Sequence, residues 1–466
     1  MDFYNDINVY GGATAIISES SEHFTYAELL TVADALKSHF TKKSLVFSIC
    51  KNSLGSVAGY IGFLRARVVP VLINDGINRQ LFENLLRTYK PEYIWLPSEK
   101  AKAANWGSEV YHYGNYVLLK TGYVIDYTIH EDLALLLTTS GSTGSPMLVR
   151  ISYQNINSNA NAIAQYLEIT QTDRPITTLP MSYTYGLSII NSHLLKGCAI
   201  ILTNKTFMDK VFWELLKTHE ATTFGGVPYV YEMLKKLRFS RMELPSLKIL
   251  TQAGGKLSRE LSEEFATICE QKGIRFFVMY GQAEAAPRMS YLPSEYAVSK
   301  AGSIGIAIPG GEFWLVDDNG NVIPDSDTVG ELVYRGDNVT MGYATSCEDL
   351  CKGDENGGVL KTGDMAKRDA DGFYYIVGRK KRFLKLFGNR INLDEVEQLI
   401  KGLGYHCVCS GEDDHLRIYT SDKENHATIK SFVAERTGIH PSGFEVIYLE
   451  SIPRNEAGKI LYSALK

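Results

Sequence analysis

The sequence predicts an α/β protein with a large N-terminal domain of α/β layers and a small α+β domain at its C-terminal end. At 466 residues the chain is too long for one average domain. Through most of its length, apolar β-rich runs alternate with amphipathic helical stretches, which is typical of layered α/β folds with largely parallel sheets. After about residue 300 short β runs separated by turn residues replace this alternation, which predicts a β-rich subdomain.

The N-terminal elements follow from apolar runs and helical periodicity. Helices are expected at 25–40 and 258–273, where apolar residues recur at helical spacing. Strands are expected at 44–50, 68–73, 92–97, 133–139, 199–203, 247–255 and 275–281.

The C-terminal elements follow from turn signals. Segments 312–324 and 372–391 carry D-N-G and D-G turns between β runs and are expected to form hairpins. Segment 392–403 is expected to be a helix with Asn392 as its N-cap and acidic residues in its first turn. The predicted domains, divided near Gly378 and Arg379, are 1–378 and 379–466.

Composition excludes several classes of function. Hydrophobic residues make up 45% and charged residues 22% of the chain, as in globular proteins, and the net charge of −5 does not favour nucleic-acid binding. The start of the chain lacks the pattern of a secretory signal, and no apolar run reaches membrane length. The seven scattered cysteines lack zinc-site spacing and are expected to be reduced, as in a cytoplasmic protein.

Residues 138–150 read TTSGSTGSPMLVR and raise the question of phosphate binding. Neither the Walker pattern nor the Rossmann glycine pattern fits this loop. Because it joins two β runs, it is expected to be a hairpin loop. Backbone N–H groups and hydroxyls in such a loop can cradle phosphate, but a plain polar hairpin tip fits the composition equally well.

Seven segments together resemble the motifs of the adenylate-forming (ANL) superfamily, which comprises acyl-CoA synthetases, adenylation domains of peptide synthetases and firefly-type luciferases. They stand in the order that the family shows, and a weaker match, TYAEL, lies at 25–29. The segments are TSGSTGSP (139–146), LPMSYTYGL (179–187), TFGGVPYVYEML (223–234), MYGQAEAAPRMSYL (279–292), GELVYRGDNVTMGY (330–343), LKTGDMAKRDADGFYYIVGR (360–379) and PRNEAGKILYSAL (453–465).

The resemblance implies a two-step ligase that uses ATP and Mg²⁺. A carboxylic acid is first joined to AMP with release of pyrophosphate, and the acyl group then passes to the thiol of CoA or of a carrier protein's phosphopantetheine. Two alternatives stay open: transfer to an amine, or a non-catalytic adenylate-binding homologue. No membrane span and no nucleic acid are implied.

Nucleotide binding is the first role that the resemblance assigns to residues. Glu284 is expected to hold Mg²⁺, since a carboxylate is a hard oxygen ligand, and Asp364 to accept hydrogen bonds from the ribose hydroxyls. The residues expected to bind the nucleotide are Thr139, Ser140, Gly141, Ser142, Thr143, Gly144, Tyr280, Gly281, Gln282, Asp364 and Arg379.

Two positions depart from the family pattern on the phosphate side. Met147 stands where the family usually has lysine, and Ala283 where it has threonine. Methionine cannot donate to phosphate, so weaker binding of ATP or pyrophosphate is expected. Arg150, three residues further on, is a candidate to compensate for the missing charge.

The closing motif and the C-terminal domain supply the remaining catalytic parts. Lys459 is expected to be the main catalytic cation, which the small domain carries to the carboxylate and the α-phosphate. That domain is therefore expected to be mobile, with Lys381 as the hinge. Gly388 matches a glycine beside the pantetheine tunnel.

The acid pocket is the least determined part of the site. Thr184 stands where amino-acid-activating relatives have aspartate, which argues against an α-amino acid, because a buried ammonium needs a carboxylate partner. Aryl and short or medium aliphatic acids stay open. The residues expected to line the pocket are Tyr183, Thr184, Tyr185, Gly226, Tyr229, Ala253, Gly254 and Gly255.

Overall fold

The computed structural model describes residues 2–102, 105–138, 147–386, 389–412, 415–437, 440–454 and 460–465. The described residues form two compact units: Met1–Phe313 with Tyr334–Leu360, and Trp314–Val333 with Lys361–Lys466. The helices are α1 (Tyr26–Lys37), α2 (Leu54–Arg65), α3 (Arg79–Tyr89), α4 (Ser98–Lys102), α5 (Tyr153–Tyr166), α6 (Thr184–Leu195), α7 (Lys210–Thr218), α8 (Pro228–Lys236), α9 (Arg259–Gln271), α10 (Leu393–Gly402) and α11 (His426–Thr437).

The strands confirm the seven that the sequence predicts in the N-terminal part. They are β1 (Thr14–Ile17), β2 (His23–Thr25), β3 (Leu45–Cys50), β4 (Val69–Asn74), β5 (Tyr93–Pro97), β6 (Ser108–Tyr113), β7 (Tyr116–Lys120), β8 (Leu133–Thr138), β9 (Leu148–Ser152), β10 (Ile200–Ile201), β11 (Thr223–Gly226), β12 (Ile249–Gln252), β13 (Arg275–Tyr280), β14 (Ser290–Tyr291), β15 (Ile306–Ala307), β16 (Glu312–Val316), β17 (Gly330–Arg335), β18 (Tyr343–Ala344), β19 (Val359–Arg368), β20 (Tyr374–Arg379), β21 (Phe383–Leu386), β22 (Asn389–Asn392), β23 (Cys407–Glu412), β24 (His415–Thr420) and β25 (Phe444–Tyr448).

The first unit contains an eight-stranded sheet in the order β18-β9-β8-β4-β3-β5-β7-β6. Its centre is parallel, as predicted: β3 pairs in parallel with β4 and β5, and β4 with β8. The outer pairs are antiparallel, so the expectation of largely parallel sheets is wrong at the edges. The connection from β6 to β7 is too short for the crossover that parallel strands need.

Local sequence explains the elements around the parallel centre. Every residue of β3 is buried, because helices and loops cover both faces of a parallel strand. α1 begins with a capping box, in which the Thr25 hydroxyl accepts the Glu28 N–H and the Glu28 carboxylate accepts the Thr25 N–H. The predicted helix at 25–40 is thereby confirmed.

A smaller sheet of the first unit, ordered β11-β12-β13-β14-β15, positions the predicted acid site. β11, β12 and β13 are parallel, with Gly226, Gln252 and Val278 in register. The carboxyl ends of these strands therefore lie at one edge, where α/β proteins commonly bind ligands.

The second unit is an α+β unit, as the sequence predicts. It holds most of the sheet β16-β17-β19-β20, the hairpin β21-β22 and the sheet β23-β24-β25. α10 and α11 pack with the last sheet around a core that includes Val396, Ile418 and Val433. The predicted helix after residue 392 is confirmed as α10, whereas the Asn392 side chain lies outside the described part. The domain boundary at Gly378 and Arg379 stays a prediction.

Two chain-wide expectations can be checked against the described residues. No helix in this part of the chain is long and apolar enough to cross a membrane. All seven cysteines lie in the described part, and each is a free thiol.

Candidate functional site

The residues predicted to line an acid pocket come from neighbouring elements of the first unit. Gly226 ends β11, Ala253 directly follows β12, and Tyr183 and Thr184 stand at the start of α6. Tyr183 is half-buried, whereas Thr184 and Ala253 are buried. The carboxyl edge of the small sheet and the first turn of α6 thus supply the predicted lining.

Tyr185 anchors α6 to this edge. Its side chain is 1% exposed, and its hydroxyl donates to the Thr251 carbonyl oxygen at 2.9 Å. A Cβ on Gly225 would come within 2.5 Å of the same hydroxyl, so only glycine allows β11 to lie so close to α6. The local chain therefore holds Tyr185 rigidly at the predicted pocket.

The turn after β12 also requires a glycine. Gly254 has φ +79°, and a Cβ there would lie 2.5 Å from the Tyr183 hydroxyl. Both the backbone conformation and the neighbouring phenol therefore exclude larger side chains. The structure brings Tyr183 and Gly254 together, as expected for two residues of one pocket.

Thr184 lines a cavity between α5 and α6, together with Asn159 and Asn191. The side-chain oxygens of both asparagines are buried and lack a hydrogen-bond partner. None of the residues that line this cavity is acidic. The prediction against α-amino acids, which rests on Thr184, stays a prediction.

Other predicted lining residues are placed differently. Tyr229 is 57% exposed, with its ring centroid 6.5 Å from that of Phe207, and Gly255 is exposed. A Cβ on Gly226 would lie 2.6 Å from the Val230 side chain, so this glycine allows α8 to pack closely against β11. The pocket roles of these three residues stay predictions.

Arg288 is a buried cation that the sequence analysis did not single out. It is 3% exposed, and its guanidinium carbon lies 4.0 Å from the centroid of the Tyr185 ring. The signal was present as an arginine four residues after Glu284, in the otherwise uncharged stretch AAPRMSY. Sequence alone did not reveal that its side chain turns inward.

Glu284, the predicted Mg²⁺ ligand, lies in a short turn after β13. Its carboxylate accepts a hydrogen bond from the Tyr343 hydroxyl at 2.6 Å. Burial, and then the Glu284 carboxylate, raise the pKa of Tyr343, so this phenol stays protonated and can donate. Tyr343 is thus a further residue of the candidate site, one that positions Glu284.

The neighbours of Glu284 form a compact turn. The Gln282 amide donates to the Tyr280 hydroxyl at 3.3 Å. At Gly281 a Cβ would lie 1.7 Å from the Pro287 carbonyl oxygen, so the chain itself, and not only a ligand, requires this glycine. The three predicted residues Tyr280, Gly281 and Gln282 therefore lie together beside Glu284.

Arg150 does not replace the charge that is missing at Met147. Its side chain is 0% exposed. The guanidinium donates hydrogen bonds to one carboxylate and four carbonyl oxygens, those of Glu355 and of Met341, Tyr343, Lys352 and Gly353. These bonds occupy the guanidinium within the first unit. The expectation that Arg150 compensates is therefore wrong, because the arginine is committed to structural contacts.

Asp364 and Arg379, both in the second unit, lie next to each other. They stand opposite each other on β19 and β20, and Arg379 Nε lies 2.9 Å from Asp364 Oδ1. Asp364 is 2% exposed, whereas the Arg379 side chain is 65% exposed. The pair offers a fixed carboxylate and a reachable guanidinium side by side, a combination suited to ribose and phosphate.

Three of the four cations in the basic run Arg379–Arg382 form ion pairs. Lys380 lies 2.7 Å from Glu331, and Arg382 lies 2.5 Å from both Asp394 and Glu397. Lys381, the predicted hinge, lies in the turn Lys380–Arg382 directly after β20. Its side chain is outside the described part, so the hinge role stays a prediction.

Several predicted residues lie outside the described residues altogether. They keep the roles that the resemblance implies, as predictions. They are the phosphate-loop residues Thr139, Ser140, Gly141, Ser142, Thr143 and Gly144, the tunnel residue Gly388 and the catalytic residue Lys459.

A magnesium site fits the chemistry around Glu284. Mg²⁺ is commonly bound by one or two carboxylates together with substrate phosphates, and Glu284 supplies such a carboxylate, already oriented by Tyr343. Within the described ranges no three His, Cys, Asp or Glu side chains form a metal-binding group. One carboxylate that is already oriented suits an ion that is shared with a phosphate.

Comparison with known proteins agrees with this geometry. The profile of the AMP-binding enzyme family matches residues 3–344. A 2-succinylbenzoate–CoA ligase of Bacillus cereus is 26% identical over 347 residues, covering 72% of this chain and 70% of the relative. A medium-chain fatty-acid–CoA ligase of Escherichia coli is 28% identical over 349 residues, covering 72% of this chain and 61% of the relative.

Solved structures share the fold. The o-succinylbenzoate CoA synthetase of Bacillus subtilis, in complex with its acyl-adenylate intermediate, matches with a TM-score of 0.80 and 22% identity. The match covers 100% of this chain and 98% of the synthetase. The complex of that synthetase with ATP and a magnesium ion matches with a TM-score of 0.77 and 22% identity, covering 100% of this chain and 99% of that one.

Proposed function

Because this chain belongs to the AMP-binding enzyme family, we propose that it is an AMP-forming acid–thiol ligase that uses ATP and Mg²⁺. The observation that carries the proposal is the family match over residues 3–344, which spans both the acid-side residues and Glu284. Relatives at 26% and 28% identity are CoA ligases, and a fold relative binds ATP with magnesium, which supports the assignment of these substrates and of the metal.

The reaction divides into two balanced steps. A carboxylate oxygen of the acid attacks the α-phosphorus of ATP, and pyrophosphate leaves with the electron pair of the broken P–O bond. A thiolate sulfur then attacks the acyl carbon, AMP leaves, and the thioester forms. Bound Mg²⁺ neutralises phosphate charge, and the protein's own contribution is positioning and electrostatic stabilisation.

We propose the following roles for individual residues in holding the nucleotide and the reacting groups. Glu284, oriented by Tyr343, would bind the Mg²⁺ that accompanies the phosphates. Asp364 would accept hydrogen bonds from the ribose hydroxyls, while the exposed guanidinium of Arg379 reaches the ribose or a phosphate. Lys459 would bridge the carboxylate and the α-phosphate, and Gly388 would leave room for the pantetheine chain.

CoA is the acceptor that the relatives favour, since those compared are CoA ligases. A separate carrier protein with a phosphopantetheine thiol is the second acceptor that we propose to test. We propose a cytoplasmic location, because the seven cysteines are free thiols, as is usual in a reducing compartment.

The test is a pyrophosphate-release screen over a panel of carboxylic acids, with ATP, Mg²⁺ and hydroxylamine as the trap for the acyl-adenylate. We expect release with at least one acid class, no release with Lys459→Ala, and thioester formation when CoA replaces hydroxylamine. Competition between CoA and amines separates a thioester ligase from an amide ligase. ATP binding without turnover across the whole panel would instead identify a non-catalytic homologue.

A further inference from the structure

Arg288 is a buried cation without an anionic partner. Its side chain is 3% exposed, and in the part of the chain that the structure describes no carboxylate forms an ion pair with it. Its Nε is buried and makes no hydrogen bond. Removing a guanidinium from water without a counter-ion costs several kcal/mol, so a site of this kind is incomplete by itself.

The groups that surround the guanidinium are neutral. The guanidinium carbon of Arg288 lies 4.0 Å from the centroid of the Tyr185 ring, and Arg288 lines one cavity with Tyr166. Burial raises the pKa of Tyr185 to about 12 and lowers the pKa of His193, which lines the same cavity, to about 4. At neutral pH neither side chain carries a charge, so neither compensates Arg288.

The backbone holds Arg288 in place. Its carbonyl oxygen accepts hydrogen bonds from the Asn159 amide at 3.0 Å and from the Asn338 amide at 2.7 Å. The cavity that Arg288 lines also contains the hydroxyls of Ser188, Ser192 and Thr251 and no acidic side chain. The cavity has a volume of about 10 Å³, room for a group the size of one water, so the cation is fixed beside uncharged hydrogen-bonding groups that a carboxylate would reach only after side chains move.

The location links this cation to the predicted acid pocket. Arg288 stands four residues after Glu284 and contacts Tyr185, which in turn is hydrogen-bonded to the strand that leads to Ala253. Its charge also acts on Tyr183, where it opposes the rise in pKa that burial causes. Two of the predicted lining residues, Tyr183 and Tyr185, thus lie in the electrostatic field of the same guanidinium.

We propose that Arg288 binds a second carboxylate of the substrate, so that the enzyme activates a dicarboxylic acid at one end while the other end stays ionised on the guanidinium. This proposal rests on the ligase function given above and adds the substrate class. Adenylation removes the charge of the reacting carboxylate only. The second carboxylate remains available as the counter-ion that Arg288 lacks.

The experiment compares matched acids on matched variants. Pyrophosphate release is measured with saturated straight-chain dicarboxylic acids of three to six carbons, with their monomethyl esters, and with monocarboxylic acids of the same lengths. The ester keeps the shape of the diacid but removes one charge. Arg288→Met removes the cation at similar length, and Arg288→Lys keeps it. The melting temperature and the KM for ATP verify that the variants fold and bind nucleotide.

We expect the native enzyme to prefer at least one diacid over its monomethyl ester by roughly 100-fold in kcat/KM, because the ester would leave the guanidinium unpaired. Arg288→Met should abolish that preference, and Arg288→Lys should retain part of it. Monoacids or monoesters turned over as well as diacids, or a preference that survives in Arg288→Met, would overturn the proposal while leaving the ligase function standing.

A binding readout decides the case in which no acid is turned over. Each diacid and its monoester are titrated into the native protein and into Arg288→Met, and the melting temperature is followed. A rise with the diacid that is absent with the monoester and absent in Arg288→Met supports the anion site although the ligase function fails. No such difference overturns the anion site as well.

Discussion

The Asp364 carboxylate is buried, whereas the side chain of its partner Arg379 is exposed. We assign the hydrogen bonds to the ribose hydroxyls to this buried carboxylate. Asp364→Asn keeps the shape but removes the charge that accepts the ribose hydroxyl hydrogen bonds. We expect the Kd for ATP to rise roughly tenfold, the scale of one hydrogen bond to a charged group. Isothermal titration measures it, with the exposed Asp325→Asn as the control. Unchanged ATP binding would contradict the ribose role.

Met147 should weaken phosphate binding, because Arg150 is buried in structural contacts and cannot supply the charge that lysine would bring. Met147→Lys is expected to strengthen the binding of ATP or pyrophosphate by about 1 kcal/mol, the scale of a charge-assisted contact. The measurement is the KM for ATP together with inhibition by pyrophosphate. Met147→Leu changes the side chain without adding a charge and serves as the control. Equal values for the two variants would argue against the phosphate-cradle assignment.

At the scale of elements, Arg382 links the turn Lys380–Arg382 to α10 and β23. Besides Asp394 and Glu397, it donates to the Cys409 carbonyl oxygen at 2.9 Å. Its side chain is 13% exposed. Arg382→Met should lower the free energy of unfolding by about 2 kcal/mol, because it leaves Glu397 largely buried and unpaired. Lys367→Met, which breaks an exposed ion pair with Asp327, is the control and should cost less than 1 kcal/mol.

The pH dependence of Arg382→Met follows from Glu397. Burial raises the pKa of Glu397, and the charge of Arg382 opposes that rise. Without Arg382 the folded-state pKa rises further, and stability is lost as the pH increases through it. The deficit of the variant should therefore be smaller at about pH 5 than at about pH 7.5, as measured by denaturant unfolding. A deficit that does not change with pH would contradict this account.

At the scale of the whole molecule, the two half-reactions should separate. Lys459→Ala is expected to abolish pyrophosphate release and to leave thioester formation from supplied acyl-AMP intact, because the lysine is assigned to the first step alone. Both rates are measured on one preparation, with the exposed Lys423→Ala as the control. Native rates of adenylation in Lys459→Ala would show that another group supplies the catalytic charge.

The elements of the fold could be read from the sequence because local patterns determine them. Hydrophobic periodicity located α1 and α9, the apolar runs located the predicted strands, and the predicted hairpin segment 372–391 contains β20 and most of the hairpin β21-β22. The strand direction at the sheet edges could not be read in this way. It depends on which strands become neighbours, and runs of similar composition pair in either direction.

The candidate site also has features that local sequence determines and features that depend on tertiary contacts. By itself the sequence determined the family and the order of its motifs, since these are properties of contiguous segments. Only the tertiary structure decided which arginines are buried and what they contact. Arg150 is hydrogen-bonded to carbonyl groups far along the chain, Arg382 forms ion pairs with α10, and Arg288 is buried without a counter-ion. Burial and ion pairing join positions far apart in the chain, so no local pattern reveals them.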